Sequence, residues 1–191
     1  MYQAAFGLRH YRWQVTMILV TGANGFIGRA VVSALNDRGR PVRAAVRKKA
    51  ASNEIVVGDI GPATRWEDVL GGIDTVIHTA ARVHIMNEED EQPLAAFRDV
   101  NVAGSRRLAE EAARAGVRRL VFLSSIKVNG ESTLSGHKQF FTPFDPPRPD
   151  GAYAISKWEA EQALHDIAKR TGLEVVIVRP PLVYGPGVRA N

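Results

Sequence analysis

Short apolar runs alternate along this chain with stretches whose hydrophobic positions recur every three or four residues. Met17-Ile18-Leu19-Val20 is a strand-sized run ending at Thr21-Gly22, and Ile27, Val31 and Leu35 then share one helical face before Gly39. Val42 to Val46, Glu54 to Val57 and Asp74 to His78 predict three further strands, with one or two helical turns over Trp66 to Leu70. Leu94, Phe97, Gly104, Leu108, Ala112 and Ala115 trace one long helix closed by Gly116, and Leu120 to Leu123 is a fifth strand. A helix over Ala152 to Thr171, with Leu164, Ile167 and Ala168 on one face, precedes Gly172 and a sixth strand, Glu174 to Val178.

Apolar strands separated by helices imply a parallel sheet with right-handed crossovers, the doubly wound α/β class, with expected strand order 3-2-1-4-5-6. Ligands of such sheets sit beyond the carboxyl ends of the strands at the switch point. Gly22, His78 to Ala81 and Ser124 to Ser125 should therefore converge on one cleft. The stretch from Lys127 to Gly151, with Pro143, Pro146, Pro147 and Pro149, is too long for an ordinary connector, and loops of that length are usually functional or disordered.

The 191 residues fit one domain with partial appendages, and 45% hydrophobic and 24% charged residues exclude collagen-like, mucin-like and wholly disordered chains. No apolar run approaches the roughly 20 residues of a membrane-spanning helix. Residues 1–16 lack the apolar core of a secretory signal, so a cytoplasmic location is expected; Met17 is read as the candidate true start, leaving 1–16 as an extension. With no cysteine, disulfides, thiolate metal sites and cysteine nucleophiles drop out. The formal charge of +5 permits anionic partners. Arg38, Arg40, Arg43, Arg47, Lys48 and Lys49 form a run with no acid among them.

Gly22-Ala23-Asn24-Gly25-Phe26-Ile27-Gly28 follows a strand and opens a helix. Glycine permits backbone approach that a Cβ forbids, and the helix amino terminus offers free N–H groups and partial positive charge, so Gly22, Gly25, Phe26, Ile27 and Gly28 predict a dinucleotide pyrophosphate site. An NAD site usually ends its second strand with an acid for the ribose 2′-hydroxyl. Here Val46-Arg47 stands there, and Arg47, helped by Lys48 or Arg43, suits a 2′-phosphate, which places NADP ahead of NAD. Asp59 is equally an acceptor for the adenine amino group and a turn residue after Gly58.

Tyr153 and Lys157 are four apart at the start of a helix and share a face. Bringing a phenol from a pKa near 10 to neutrality takes about three units, roughly 4 kcal/mol. A cation at 4 Å contributes about 1 kcal/mol in water but about 4 kcal/mol at an effective dielectric near 20, so Lys157 has to act in a partly closed cleft, assisted by an oxidised nicotinamide. Ser125, ending the fifth strand, can bond the same substrate oxygen.

The glycine turn, Thr79-Ala80-Ala81, Asn101-Val102-Ala103-Gly104, Ser124-Ser125, Tyr153-Ala154-Ile155-Ser156-Lys157 and Arg179-Pro180-Pro181-Leu182-Val183-Tyr184-Gly185 together resemble the extended short-chain dehydrogenases/reductases, the NAD-dependent epimerases and dehydratases. The likeness covers about residues 17 to 190. It implies Ser125, Tyr153 and Lys157 as catalytic trio, Asp59, Ile60, Ala80 and Ala81 along the cofactor, Asn101 supporting the site, and Pro180 to Val183 near the nicotinamide. It also implies a homodimer and a smaller carboxyl-terminal substrate domain, which would be missing or truncated here, so that residues 17–191 hold a nucleotide-binding domain and the start of a substrate region. Dehydratases of this kind carry Asp-Glu after the catalytic hydroxyl residue, where Ile126-Lys127 stand. Epimerases usually show Val-Tyr-Gly where this chain has Val128-Asn129-Gly130-Glu131. The run Ser124 to Glu131 resembles the bacterial 4-ketoreductases that make UDP-N-acetylquinovosamine for surface polysaccharide, so a nucleotide-sugar reductase is weighted above a 4-epimerase.

Two rivals come from other classes. A non-catalytic NADP sensor needs the phosphate turn alone and leaves the trio unexplained. Nucleic-acid binding by the Arg38 to Lys49 run explains only the charge. His78 and His84 with Glu88 to Glu91 show no metal-ligand spacing, so no metal is expected. Trp66 and Trp158 read as core or interface anchors.

Overall fold

The computed structural model describes residues 16–48, 54–83, 93–133, 140–142 and 144–188. Lys49, His84, Glu88 to Glu91, Pro143 and the extension up to residue 15 lie outside the described residues.

Six strands, β1 (Met17–Thr21), β2 (Val42–Val46), β3 (Glu54–Val56), β4 (Ile73–His78), β5 (Arg119–Leu123) and β6 (Glu174–Val178), form one sheet. Every pairing is parallel and the order is β3-β2-β1-β4-β5-β6, as expected for a doubly wound sheet. The order reverses between β1 and its neighbours β2 and β4, which opens the crevice over Thr21 and His78. Helix α1 (Phe26–Asn36) covers one face through Val31, Val32 and Leu35, packed on Ile18, Val20, Ala44 and Val46.

The other face carries the larger core. Leu19, Val76, Leu120 and Phe122 meet Leu108, Ala109 and Ala112 of α4 (Ser105–Arg114) and Ala160, Leu164 and Ile167 of α5 (Gly151–Thr171). Trp66 and Leu70, at and in the short α2 (Glu67–Leu70), close the same cluster. Side chains alternate across a strand, so parity sorts the rest. On β6, Val175 and Ile177 pack toward α5, while Val176 and Val178 on the opposite face stay 37% and 40% exposed.

The single helix expected from Leu94 to Ala115 is instead three pieces: α3 (Pro93–Phe97), a π-helical segment over Arg98–Gly104, and α4. The wide π turn brings the Asn101 amide onto both Arg82 and Ser156, and it sets Gly104 where Ile60 fills the space. Hydrophobic spacing cannot show that widening, because a π turn leaves the apolar stripe nearly in place. Val57 lies just outside β3, its N–H still donating to the Val46 carbonyl at 2.9 Å.

Candidate active site

The glycine turn is built by contact rather than by flexibility. Gly22 has φ +65°, and a Cβ there would stand 2.9 Å from the backbone of Ala80; a Cβ on Gly28 would stand 2.1 Å from the Gly22 carbonyl oxygen. The turn thus packs directly on the β4 exit at Ala80. No side chain caps the amino terminus of α1 and no acid lies in its first turn. Its first N–H groups, from Phe26 and Ile27 on, are left for an outside acceptor, and the field there favours an anion. A pyrophosphate fits this cradle, and any side chain on Gly28 would obstruct it.

Other segments reach the same mouth. The Ile126 N–H donates to the Pro180 carbonyl at 3.0 Å, which sets the Pro180 to Val183 segment beside Ser125. That segment runs on toward α1, where a Cβ on Gly185 would lie 3.7 Å from Phe26 Cζ. Asn101, buried, accepts from the Arg82 N–H at 2.8 Å and donates to the Arg82 carbonyl and Ser156 Oγ. Ser156 in turn donates to the Tyr153 carbonyl at 2.8 Å, so the β4 exit just past Ala80 and Ala81 is tied to the first turn of α5.

Ser125 sits in extended backbone and caps the 3-10 turn Ile126–Val128, its Oγ accepting from the Lys127 N–H at 3.2 Å. The half-buried Tyr153 phenol lies within the influence of the Ser125 side chain. Burial pushes the phenol above its usual range, and the Ser125 hydroxyl opposes that shift without cancelling it. Lys157 lies one helical turn on, sealed, with Nζ 4.2 Å from the centre of the Phe122 ring. Burial pulls its pKa down to about 7, while the charge of Glu161 works the other way. Burial thus favours the protonated phenol here, in keeping with the expectation that activating it takes more than the charge of Lys157.

The adenosine end is more open. Arg47 and Asp59 form an exposed ion pair at 3.7 Å, and Ile60 packs into the notch left by Gly104. Arg43 does not join them: its Nη1 donates to the carbonyls of Val69 and Gly71 at 2.6 and 2.9 Å, tying β2 to the end of α2. A concavity of about 630 Å³, lined by Ile55, Val57, Asp59, Ile60 and Arg65 among others, touches only this end of the predicted set.

His78 is a structural latch. Its ring, fully buried, is hydrogen-bonded to Thr21 Oγ1 at 2.6 Å and Ser105 Oγ at 3.0 Å, joining β1, β4 and α4. Burial, then the charge of Lys157, pulls its pKa down to about 3, so it is neutral. Among the described residues no three His, Asp or Glu side chains gather as metal ligands.

Two groups have roles that the motifs do not announce: Glu161, outside any motif, and Arg179, which opens one. Glu161, four residues after Lys157, is fully buried and accepts from Ser124 Oγ and from Arg179 Nε and Nη2 at 3.0 and 2.5 Å. Strand parity was the available signal. Ser124 continues the inward series Leu120, Phe122, and Arg179 continues Val175, Ile177, so both point at α5.

A profile of the NAD dependent epimerase/dehydratase family matches residues 18–191. The chain is 44% identical over 178 residues to a UDP-glucose 4-epimerase of Vibrio cholerae, covering 91% of this chain and 54% of that protein. It is 38% identical over 177 residues to sterol demethylase protein B of Methylococcus capsulatus, covering 88% and 52% respectively. Among solved structures, MoeE5 in complex with UDP-glucuronic acid and NAD superposes with a TM-score of 0.74 at 34% identity, over 90% of this chain and 56% of that one. The chain spans about half the length of the curated relatives it matches. Its doubly wound sheet, glycine turn and ordered motifs agree with the profile: this chain belongs to the NAD-dependent epimerase/dehydratase family.

Proposed function

We propose that residues 17–191 form the nucleotide-cofactor domain of an oxidoreductase that exchanges hydride at C4 of a UDP-hexose or UDP-hexosamine, as a 4-ketoreductase serving surface polysaccharide. The carrying observation is the Tyr153 phenol beside the Ser125 side chain at the mouth bounded by the glycine turn and Pro180, with Lys157 one turn away. Gly22, Gly25, Phe26, Ile27 and Gly28 would hold the pyrophosphate of NAD or NADP, Asp59 and Ile60 the adenosine end, and Ala80, Ala81, Asn101, Pro180 and Val183 the path to the nicotinamide. The bound cofactor supplies hydride exchange with the sugar carbon. Ser125 orients the carbonyl oxygen by hydrogen bonding. Tyr153 gives its proton to the oxygen as alkoxide develops, and burial keeps it in the protonated form that this needs. Lys157 supplies positive charge as the phenol loses that proton, and it orients the ribose.

A second reading, a UDP-sugar 4-epimerase, is supported by the 44% identity to the Vibrio cholerae protein of that name. The same trio would then take the proton from the C4 hydroxyl as hydride leaves C4 for the oxidised cofactor, and return it to that oxygen once hydride comes back to the opposite face of the keto sugar. An assay with UDP-4-keto sugars and with UDP-hexoses, each with NADH and NADPH, separates the two. Cofactor oxidation matched to sugar reduction supports the reductase; interconversion of isomers without net oxidation supports the epimerase. Tyr153→Phe should lower turnover by roughly 10²- to 10⁴-fold in either case while cofactor still binds. Undiminished turnover in that variant would remove Tyr153 from the chemistry, whereas cofactor binding with no turnover of any sugar in the parent protein would favour the non-catalytic sensor.

For the cofactor, we read Arg47 as the residue that favours NADP. Arg47→Ala should weaken NADPH binding about tenfold and leave NADH binding within about twofold. Equal loss for both would assign Arg47 to the ion pair with Asp59 alone.

A further inference from the structure

Glu161 and Lys157 stand four residues apart on α5, so they are neighbours on one helical face, and both are sealed from solvent. The carboxylate oxygens are taken by Ser124 and Arg179, so Glu161 acts on Lys157 through space across that sealed face rather than by direct pairing. Arg179 takes both oxygens of Glu161 through Nε and Nη2, and its Nη1 donates to Asn129 Oδ1 at 3.1 Å. Ser124, the residue before Ser125, donates to Glu161 as well. One carboxylate therefore joins the exits of β5 and β6 to the helix that carries Tyr153 and Lys157.

The surroundings of Lys157 leave this role to Glu161. Tyr153 on α5 is protonated and uncharged. His78 on β4 is neutral and gains its charge only near pH 3. Phe122 on β5 presents its ring, the π segment meets α5 through the uncharged Asn101, bonded to Ser156, and Arg179 beyond β6 is a cation reached through Glu161 itself. Among the described residues facing Lys157, Glu161 is the anion. A lysine whose pKa burial has brought to about 7 turns neutral in the working range if that charge is removed.

We propose that Glu161 is a positioning residue, a buried counter-anion that keeps Lys157 an ammonium and, through Ser124 and Arg179, locks the Ser125 and Pro180 strand ends onto α5. This rests on the reading that Ser125, Tyr153 and Lys157 act together on a substrate oxygen.

The test is NMR on the intact chain carrying lysine labelled with 15N at Nζ and glutamate labelled with 13C at the carboxyl. One lysine should titrate near neutrality and vanish in Lys157→Met, and the Glu161 carboxyl resonance should move at the same midpoint. In Glu161→Gln the lysine midpoint should fall by at least one unit, a tenfold loss of ammonium over amine at a given pH, while Glu159→Gln leaves it in place. If Glu161→Gln does not fold, the double variant Glu161→Gln, Arg179→Gln removes both charges, and the lysine midpoint should fall by a smaller, still resolved amount, because losing the more distant cation offsets part of the loss of the anion. A Glu161 carboxyl signal silent at the Lys157 midpoint in the parent protein, or an unmoved lysine midpoint in either folded variant, overturns the proposal. Because these titrations contain no sugar, coupling without turnover of any UDP-sugar faults the substrate reading only. Turnover without coupling faults this inference only.

Discussion

The two ends of the sheet carry charge clusters of similar composition in opposite settings. At the carboxyl ends of β5 and β6, Glu161 and Arg179 form a pair whose side chains are 1% and 20% exposed, with Lys157 sealed beside them. At the amino ends of the same strands and β4, Arg118 bridges Asp74 and Glu174 at 3.1 Å to each, and Arg119 holds Glu174 at 2.6 Å, all with side chains in contact with water. The chemistry of the pairs is the same and the dielectric is not. Water weakens the lower cluster and adds the entropy of holding long side chains. In the upper one, desolvated charges depend on their partners, and the same desolvation shifts Lys157 and Tyr153. At the amino ends the ion pairs push Asp74 and Glu174 down and Arg118 up, deeper into the charged forms they already hold, whereas at the crevice burial moves Lys157 and Tyr153 toward their neutral forms.

The largest expected effect breaks the upper cluster. Arg179→Ala leaves the buried Glu161 without the guanidinium that takes both its oxygens, and should destabilise the chain by about 3–5 kcal/mol in urea unfolding monitored by circular dichroism. A loss no larger than that of a surface variant would mean that water reaches Glu161, and the contrast between the two ends would fail. The next effect uses pH. His78 has an ordinary value of 6.5 and a folded value of about 3, so the fold favours its neutral form. Its contribution is complete above pH 6.5 and fades as pH falls toward 3. By pH 5 the loss should be about 2 kcal/mol, because each unit is worth 1.36 kcal/mol. His78→Gln should flatten that part of the stability curve. An unchanged acid slope in this variant would place the sensitivity elsewhere.

How much of this is legible without coordinates follows from what each feature demands of the residues. The strand order and the glycine turn can be read directly, since buried parallel strands need apolar runs, and Gly22 and Gly28 stand where a Cβ would meet Ala80 and the Gly22 carbonyl. Ser125, Tyr153 and Lys157 are legible as candidates because they fall at a strand exit and on one helix face, and Ser125 stands near enough to the Tyr153 phenol to oppose its shift. Glu161 and Arg179 are harder, since an acid in mid-helix and an arginine after a strand ordinarily read as solvated groups. Strand parity reveals them, but only once the face that α5 covers is known. The π segment is hidden for another reason: its function lies in the turn width that lets Asn101 serve Arg82 and Ser156 together, and hydrophobic periodicity is nearly blind to width. Arg43 shows the reverse error, a cation in a basic run whose donors are taken by the carbonyls of Val69 and Gly71.

The smallest expected effect completes the comparison from the lower end. Arg118→Ala removes the bonds to Asp74 and Glu174, but Glu174 keeps Arg119, and the Arg118 backbone N–H keeps its bond to the Asp74 carbonyl at 2.9 Å. Thermal unfolding should show a loss several-fold smaller than that of Arg179→Ala. That small loss should shrink further near 1 M salt, where the screening length is about 3 Å, while the loss in Arg179→Ala should persist because ions do not enter the buried site. Salt is the discriminating variable here, since both variants delete the same guanidinium and differ only in where it stood. Equal salt sensitivity at the two ends would mean that the upper pair is hydrated, and the tuning of Lys157 by burial would lose its basis.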